Sequence, residues 1–375
     1  MSATDGQVST HADVAAADVR LGDVRRGEVA LADVALADGT VLAIRVHRAR
    51  ASSGGALLVH GLASNAQMWD ACAEALAGRG IDVVAVDLRG HGASARHHGN
   101  PPPDTSSAAT DVSRLLGLLR EDGTLTGPVL LAGQSWGGNV VLTAAAGSGE
   151  VPPAGADALV LVDGGWLRFD QREPFERLWQ RMAPPTWDGT TWEELVQGLG
   201  PRLQGWGPHA LPAVLANLTT REDGTVRNVL DLASHERILR SVYDTDPRLL
   251  YPVVQVPTLL VPAGAGIASA LLQEAVALLS DARIERYAGA HHDLHLQHPL
   301  RLARDLAAHL RAAGPAVPAA PAGPAAPAAP AAPAAPVAPV DHAMPVAPVD
   351  HAVAPDHPPT PADAPARADA PEEHT

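Results

Sequence analysis

Six short apolar runs constrain what this chain can fold into more than any other feature. They occupy residues 56–59, 81–86, 129–132, 158–162, 258–261 and 284–287. A strand wetted on one face alternates apolar with polar residues, whereas a mostly apolar run suits a parallel strand buried on both faces. The stretches 65–77, 107–119, 139–146, 269–279 and 300–312 have helical spacing and supply the covering layers. Two earlier segments, 28–36 and 40–47, do alternate, and Asp38-Gly39 joins them as a strong hairpin signal. The pattern predicts an α/β fold, a mixed and mainly parallel sheet with helices on both faces.

The rhythm breaks once. Between Trp166 and Tyr251 the sequence shows no convincing strand, but it carries Trp179, Trp187, Trp192 and Trp206 and helical pieces such as 192–199 and 225–234. An insertion of this length within a βα series reads as a lid or cap. The expected organisation is a flexible N-terminal segment over 1–26, a core over 27–165 and 252–312, a helical cap over 166–251, and a tail over 313–375. The tail consists of Pro/Ala repeats, a duplicated VAPVDHA (337–343 and 346–352) and an acidic end. That composition cannot bury a core and reads as an extended, disordered spacer.

Composition removes several kinds of chemistry. The net charge of −15 argues against nucleic acid, whose phosphates need basic patches. From residue 312 onward there are seven acids and one Arg, so much of that charge lies off the expected core. No Lys occurs, which excludes a Schiff-base lysine, a pyridoxal-phosphate aldimine and a P-loop lysine. Cys72 is the only cysteine, so there is no intrachain disulfide and no cysteine-rich zinc site. It falls in an apolar helical stretch and is expected to be a buried small hydrophobe. No apolar run approaches the ~20 residues of a membrane span, and the polar N-terminus lacks the pattern of a secretion signal. The cytoplasm is the expected location, without a membrane or nucleic-acid partner. The sequence does not set the oligomeric state.

The chemistry begins at Gly133-Gln134-Ser135-Trp136-Gly137-Gly138. This GxSxG directly follows an apolar strand and directly precedes a helix, the context of a nucleophile elbow. Small residues on either side let the backbone turn sharply, and the helix N-terminus aims N–H groups at the reaction centre. Ser135 is therefore the candidate nucleophile. Acyl transfer creates an oxyanion that needs fixed donors. The N–H of Trp136 is one candidate, and the other is the N–H of Leu62 in the loop after the third predicted strand. His60, beside Gly61, reads as a brace for that loop rather than a catalyst. Asp87 and Arg89 read as fixing the loop after the fourth strand.

HGLASNAQMW (60–69), DLRGHGAS (87–94), GQSWGG (133–138) and the late HHD (291–293) together resemble the α/β-hydrolase superfamily, in order and spacing, over residues 27–312. The resemblance implies an eight-stranded sheet, a cap inserted after the sixth strand, and a triad ordered Ser, acid, His. Its usual Gly-His pattern after the last strand aligns His292 with the general base, and His291 is the alternative. His295 and His298 thicken this cluster, but no HExxH spacing or matching carboxylate motif accompanies them. Neither a metal nor a cofactor is expected.

The acid departs from the usual pattern. Most cap-bearing members carry an Asp after the seventh strand, and here that strand runs into Pro262-Ala263-Gly264 with no carboxylate before Glu274. Asp163, at the end of the sixth strand, stands where certain dehalogenases place theirs. Its competing reading is a loop cap leading into the insertion. The expected chemistry is hydrolysis of an ester-type bond (carboxylic ester, thioester, lactone or amide) through an acyl-enzyme. The expected substrate is small and largely apolar, with Trp166 lining its pocket. Ser135 stands where haloalkane dehalogenases and epoxide hydrolases need a carboxylate, which disfavours both. A C–C bond hydrolase, an acyltransferase and a non-catalytic ligand-binding member remain open alternatives.

Overall fold

The computed structural model describes residues 29–147, 153–169, 172–264 and 269–314. The N-terminal segment expected over 1–26 and, from residue 315, the expected tail lie outside the described residues. In chain order the elements are β1 (Val29–Ala35), β2 (Val41–His47), β3 (Gly55–Val59), α1 (Asp70–Ala77), β4 (Asp82–Val86), α2 (Thr105–Glu121), β5 (Val129–Gln134), α3 (Trp136–Ala146) and β6 (Ala158–Val162). The insertion follows, with α4 (Phe175–Met182), α5 (Trp192–Leu203), α6 (Ala210–Leu215), β7 (Leu218–Thr220), β8 (Val226–Asn228) and α7 (Leu232–Asp244). The core resumes with β9 (Thr258–Val261), α8 (Ala270–Leu278), β10 (Ala282–Ile284), α9 (Leu294–Gln297) and α10 (Pro299–Ala313).

Eight strands form one sheet in the order β1-β2-β4-β3-β5-β6-β9-β10. The β1–β2 hairpin and the β2–β4 pairing are antiparallel, and the remaining pairs are parallel. Alternate side chains of each central strand serve different layers. Leu57 and Val59 join a cluster with α2, α3 and α8, whereas Ala56 and Leu58 join one with α1 and α10. Both faces are therefore dry, which is why these strands lack alternation. Cys72 lies wholly buried in the second cluster, and burial pushes its thiol pKa up. None of the described helices is long and apolar enough to cross a membrane.

Three expectations are corrected. The insertion does contain strands, because β7 and β8 pair as an antiparallel ribbon. The helix expected over 225–234 is instead β8 followed by the start of α7, whose first turn is capped by Asp231 accepting from Ser234 N at 2.8 Å. The cause is local. Asp223-Gly224 makes the ribbon's turn, with Gly224 at φ +85° and Arg221 N donating to Thr225 O at 2.7 Å. The last strand also ends earlier than expected, at Ile284. Its pairing with the β9 edge continues past that point, as Glu285 N donates to Leu260 O and Tyr287 N to Pro262 O.

The insertion has apolar centres of its own. Phe175, Leu178 and Leu239 form one. Leu195, Leu199, Ala210, Ala213 and Val226 form another, which also takes in Met68 and Leu296 from the core. Asn65, from the loop after β3, donates through Nδ2 to Ala213 O (2.9 Å) and Asn217 Oδ1 (2.6 Å). The insertion is thus fastened to loops at the C-terminal ends of the parallel strands, where ligands bind in open α/β sheets.

Candidate active site

Ser135 sits between β5 and α3 with φ 53° and ψ −122°, a backbone region that side-chain-bearing residues rarely occupy. The surroundings enforce it. A Cβ on Gly133 would stand 2.1 Å from the Gly137 carbonyl oxygen, and one on Gly137 would stand 2.4 Å from the His60 carbonyl oxygen. Only glycine lets strand, bend and helix approach this closely. Ser135 N donates to Val162 O at 2.9 Å, which ties the bend to the end of β6.

The next residue of that neighbouring strand end is Asp163, also left-handed at φ 43°. Its N–H donates to Val261 O at 2.9 Å, and its Oδ1 accepts the Ala263 N–H at 2.9 Å. Both oxygens are thereby directed, and Oδ2 meets His292 Nδ1 at 2.7 Å. A carboxylate here accepts, so the Nδ1–H donates and the lone pair lies on Nε2. Burial pulls the His292 pKa down, but the hydrogen bond and charge of Asp163, helped by Asp293, pull harder, and the net shift is upward. The His292 loop is tied to the elbow as well, since Gln134 Nε2 donates to His292 O at 3.2 Å.

His291 is placed differently. Its N–H donates to Gln297 Oε1, its Nδ1 accepts the Asp293 N–H at 3.2 Å, and its ring lies 5.0 Å from that of Trp206 in the insertion. His295 is buried against Trp69, and His298 lies beside Tyr287. The four histidines diverge, and among the described residues no three metal-ligating side chains converge.

Leu62 and Trp136 bring their amides to the loop after β3 and the first position of α3. Neither N–H donates to another group among the described residues. The next amide, Ala63 N–H, is taken by His91 Nε2 at 3.3 Å. Trp136 Nε1 donates to Thr105 Oγ1 at 3.0 Å. Trp166 is buried in the apolar cluster that also holds Leu62 and Trp136. Trp187 and Trp192 have structural partners, as their indoles donate to Asn228 Oδ1 and Thr220 Oγ1 in the ribbon.

Buried hydrogen bonds hold the supporting loops. His60 Nδ1–H donates to Gly61 O at 2.7 Å while Nε2 accepts from Leu88 N at 3.0 Å, and burial lowers its pKa to about 4. Asp87 accepts from Ala66 N and Ala93 N, at 2.7 and 2.9 Å. Arg89 makes a buried two-point bond to Asp111, at 2.5 and 2.6 Å. Sequence reasoning missed Gln134 and His91. The signal for Gln134 was its place in the elbow itself, and that for His91 was its place between two glycines.

A family model described as the alpha/beta hydrolase family matches residues 56–306. The chain belongs to the alpha/beta hydrolase family. No curated protein matches the sequence. Among solved structures, the chain is similar to an E-2-(acetamidomethylene)succinate hydrolase, with 20% identity, a TM-score of 0.58, and 76% of this chain and 100% of that one covered. It is also similar to the peroxisomal alpha-beta-hydrolase Lpx1 of Saccharomyces cerevisiae, with 14% identity, a TM-score of 0.60, and 76% and 88% covered. An enol-lactonase of Burkholderia xenovorans LB400 shares 17% identity at a TM-score of 0.51, with 74% and 99% covered. At these identities the likeness establishes the alpha/beta hydrolase fold alone.

Proposed function

We propose that this alpha/beta hydrolase cleaves ester-type bonds of a small, largely apolar substrate through an acyl-enzyme, with Ser135, His292 and Asp163 as its triad. The observation that carries the reading is the 2.7 Å bond from His292 to Asp163, an acid on the turn pressed against the serine elbow. In this mechanism His292 Nε2 takes the Ser135 proton as Oγ attacks the carbonyl carbon. The oxyanion forms against the Leu62 and Trp136 N–H groups, which have no competing acceptor among the described residues. His292 then gives the proton to the leaving group. Water repeats the sequence on the acyl-enzyme and releases the acid. Asp163 holds the imidazole and its charge without taking the proton.

The insertion, residues 166–251, is proposed to act as a cap, with Trp166 and Trp136 at the apolar side of the pocket. Names of similar structures include hydrolases of an amide-bearing succinate and of an enol-lactone, and a thioesterase domain. They support the ester-type class without choosing within it. The test pairs a fluorophosphonate probe with a panel of short acyl esters, thioesters and amides. Wild type should label and turn over, and Ser135→Ala should do neither. No labelling and no turnover in either protein would instead favour a ligand-binding role, and equal turnover in both would remove Ser135 as the nucleophile.

A further inference from the structure

We propose that His91 is a positioning residue for the oxyanion site, its ring fixing at once the peptide after Leu62 and the indole of Trp136. The inference rests on the reading of Ser135 as nucleophile. His91 lies in the turn after β4 between Gly90 and Gly92, both at positive φ, and is 1% exposed. Its Nδ1–H donates to Arg89 O at 2.9 Å, which leaves the lone pair on Nε2. That lone pair accepts the Ala63 N–H at 3.3 Å.

Ala63 has φ 52°, a strained value for a residue with a Cβ, so something must hold it there. His91 supplies one such restraint. The other lies one residue before Leu62, where His60 holds Gly61 O. Two histidines thus clamp the peptides flanking Leu62, and its own N–H is left unshared among the described residues. The second oxyanion donor is reached from the other side of the same ring. His91 stacks on Trp136 with centroids 5.4 Å apart and planes 27° apart, and the far edge of that indole is pinned to Thr105. Burial first, and then neighbouring His60, lowers the His91 pKa to about 3, so the ring remains a neutral acceptor at ordinary pH.

A donor displaced by a fraction of an ångström fails the oxyanion more than the bound substrate. The experiment therefore compares wild type, His91→Phe and His91→Gln. It reads kcat and KM per phosphonate-titrated site, and affinity for a trifluoromethyl ketone, whose hemiketal carries the oxyanion. His91→Phe retains a flat ring on Trp136 but removes the acceptor. It should lose about 10- to 100-fold in kcat and in ketone affinity together, with KM changed less than about threefold. His91→Gln offers Oε1 to Ala63 but takes the ring off Trp136, so it should lose less than His91→Phe, about three- to tenfold in both. The proposal fails if folded His91→Phe matches wild type in kcat and ketone affinity. Should that variant not fold, His91→Gln decides, because wild-type kcat and ketone affinity in a protein without the ring would also overturn it. Wild-type turnover in Ser135→Ala would sink the nucleophile reading itself, a result separable from unaffected His91 variants.

Discussion

Asp163 and His292 meet at 2.7 Å although 129 residues separate them. The carboxylate comes from the end of β6, beside the strand that carries Ser135, and not from the end of β9. The β9 end still takes part, since the Ala263 N–H occupies the carboxylate's other oxygen. The Ala263 backbone amide thus orients a carboxylate supplied by the adjacent strand.

This arrangement makes Asp163 the residue to remove first. Asp163→Asn keeps the shape but no longer enforces the Nδ1–H tautomer or compensates the imidazolium. Turnover of a p-nitrophenyl ester per titrated site should fall by about 10³–10⁴. An unchanged rate would mean that another group orients the base.

The raised His292 pKa fixes the sign of the pH dependence. Attack needs the neutral imidazole, so kcat/KM should rise with pH and reach half its plateau above 6.5. In Asp163→Asn the burial remains and the charge is gone, so the residual activity should reach half-plateau at lower pH than in wild type. The same shift contributes to stability, and that contribution has the opposite slope. Protonated His292 stabilises the fold fully below its unfolded pKa of about 6.5, and the benefit disappears as pH rises through the folded value. Coincident pH–rate midpoints for the two proteins would contradict the assignment.

Much of this was legible in the sequence because it depends on local rules. The apolar runs gave the sheet, and Asp38-Gly39 gave the β1–β2 turn. The same dipeptide chemistry at Asp223-Gly224 went unread because the flanking β7 and β8 are three residues each, too short to show alternation. The elbow was legible since Gly133, Ser135 and Gly137 answer to steric demands within one turn. The role of Asp163 was harder to read, because its Oδ1 is held by Ala263 and its Oδ2 by His292, both 100 or more residues away. The contacts of His91 were hard to read for the same reason, since its partners Ala63 and Trp136 lie in the loop after β3 and in α3.

The Arg89–Asp111 pair provides a stability test away from the reacting atoms. Asp111 is fully buried and Arg89 is 4% exposed, so neither charge can fall back on water. Asp111→Ala strands a buried guanidinium and should cost about 3–5 kcal/mol in urea unfolding. Asp111→Ala/Arg89→Met removes both charges and should recover part of that loss. A cost below about 1 kcal/mol for the single variant would mean that the pair is hydrated in solution.

Gly164 probes the contact between acid turn and elbow. A Cβ there would lie 2.0 Å from the Ser135 carbonyl oxygen and 2.6 Å from its Cα, both backbone atoms that cannot swing away. Gly164→Ala must therefore push β6's end from β5's, moving Asp163 and Ser135 apart. The expected result is a destabilisation of about 3 kcal/mol or more, because overpacking against backbone has no rotamer to relieve it. Whatever fraction folds should show a lower kcat, since moving Asp163 from Ser135 carries with it the His292 ring that Asp163 holds. Gly155→Ala, whose Cβ would meet only the Arg120 side chain at 4.0 Å, is the control for a bare glycine replacement. Equal melting points for Gly164→Ala and wild type would show that the two turns do not touch in solution.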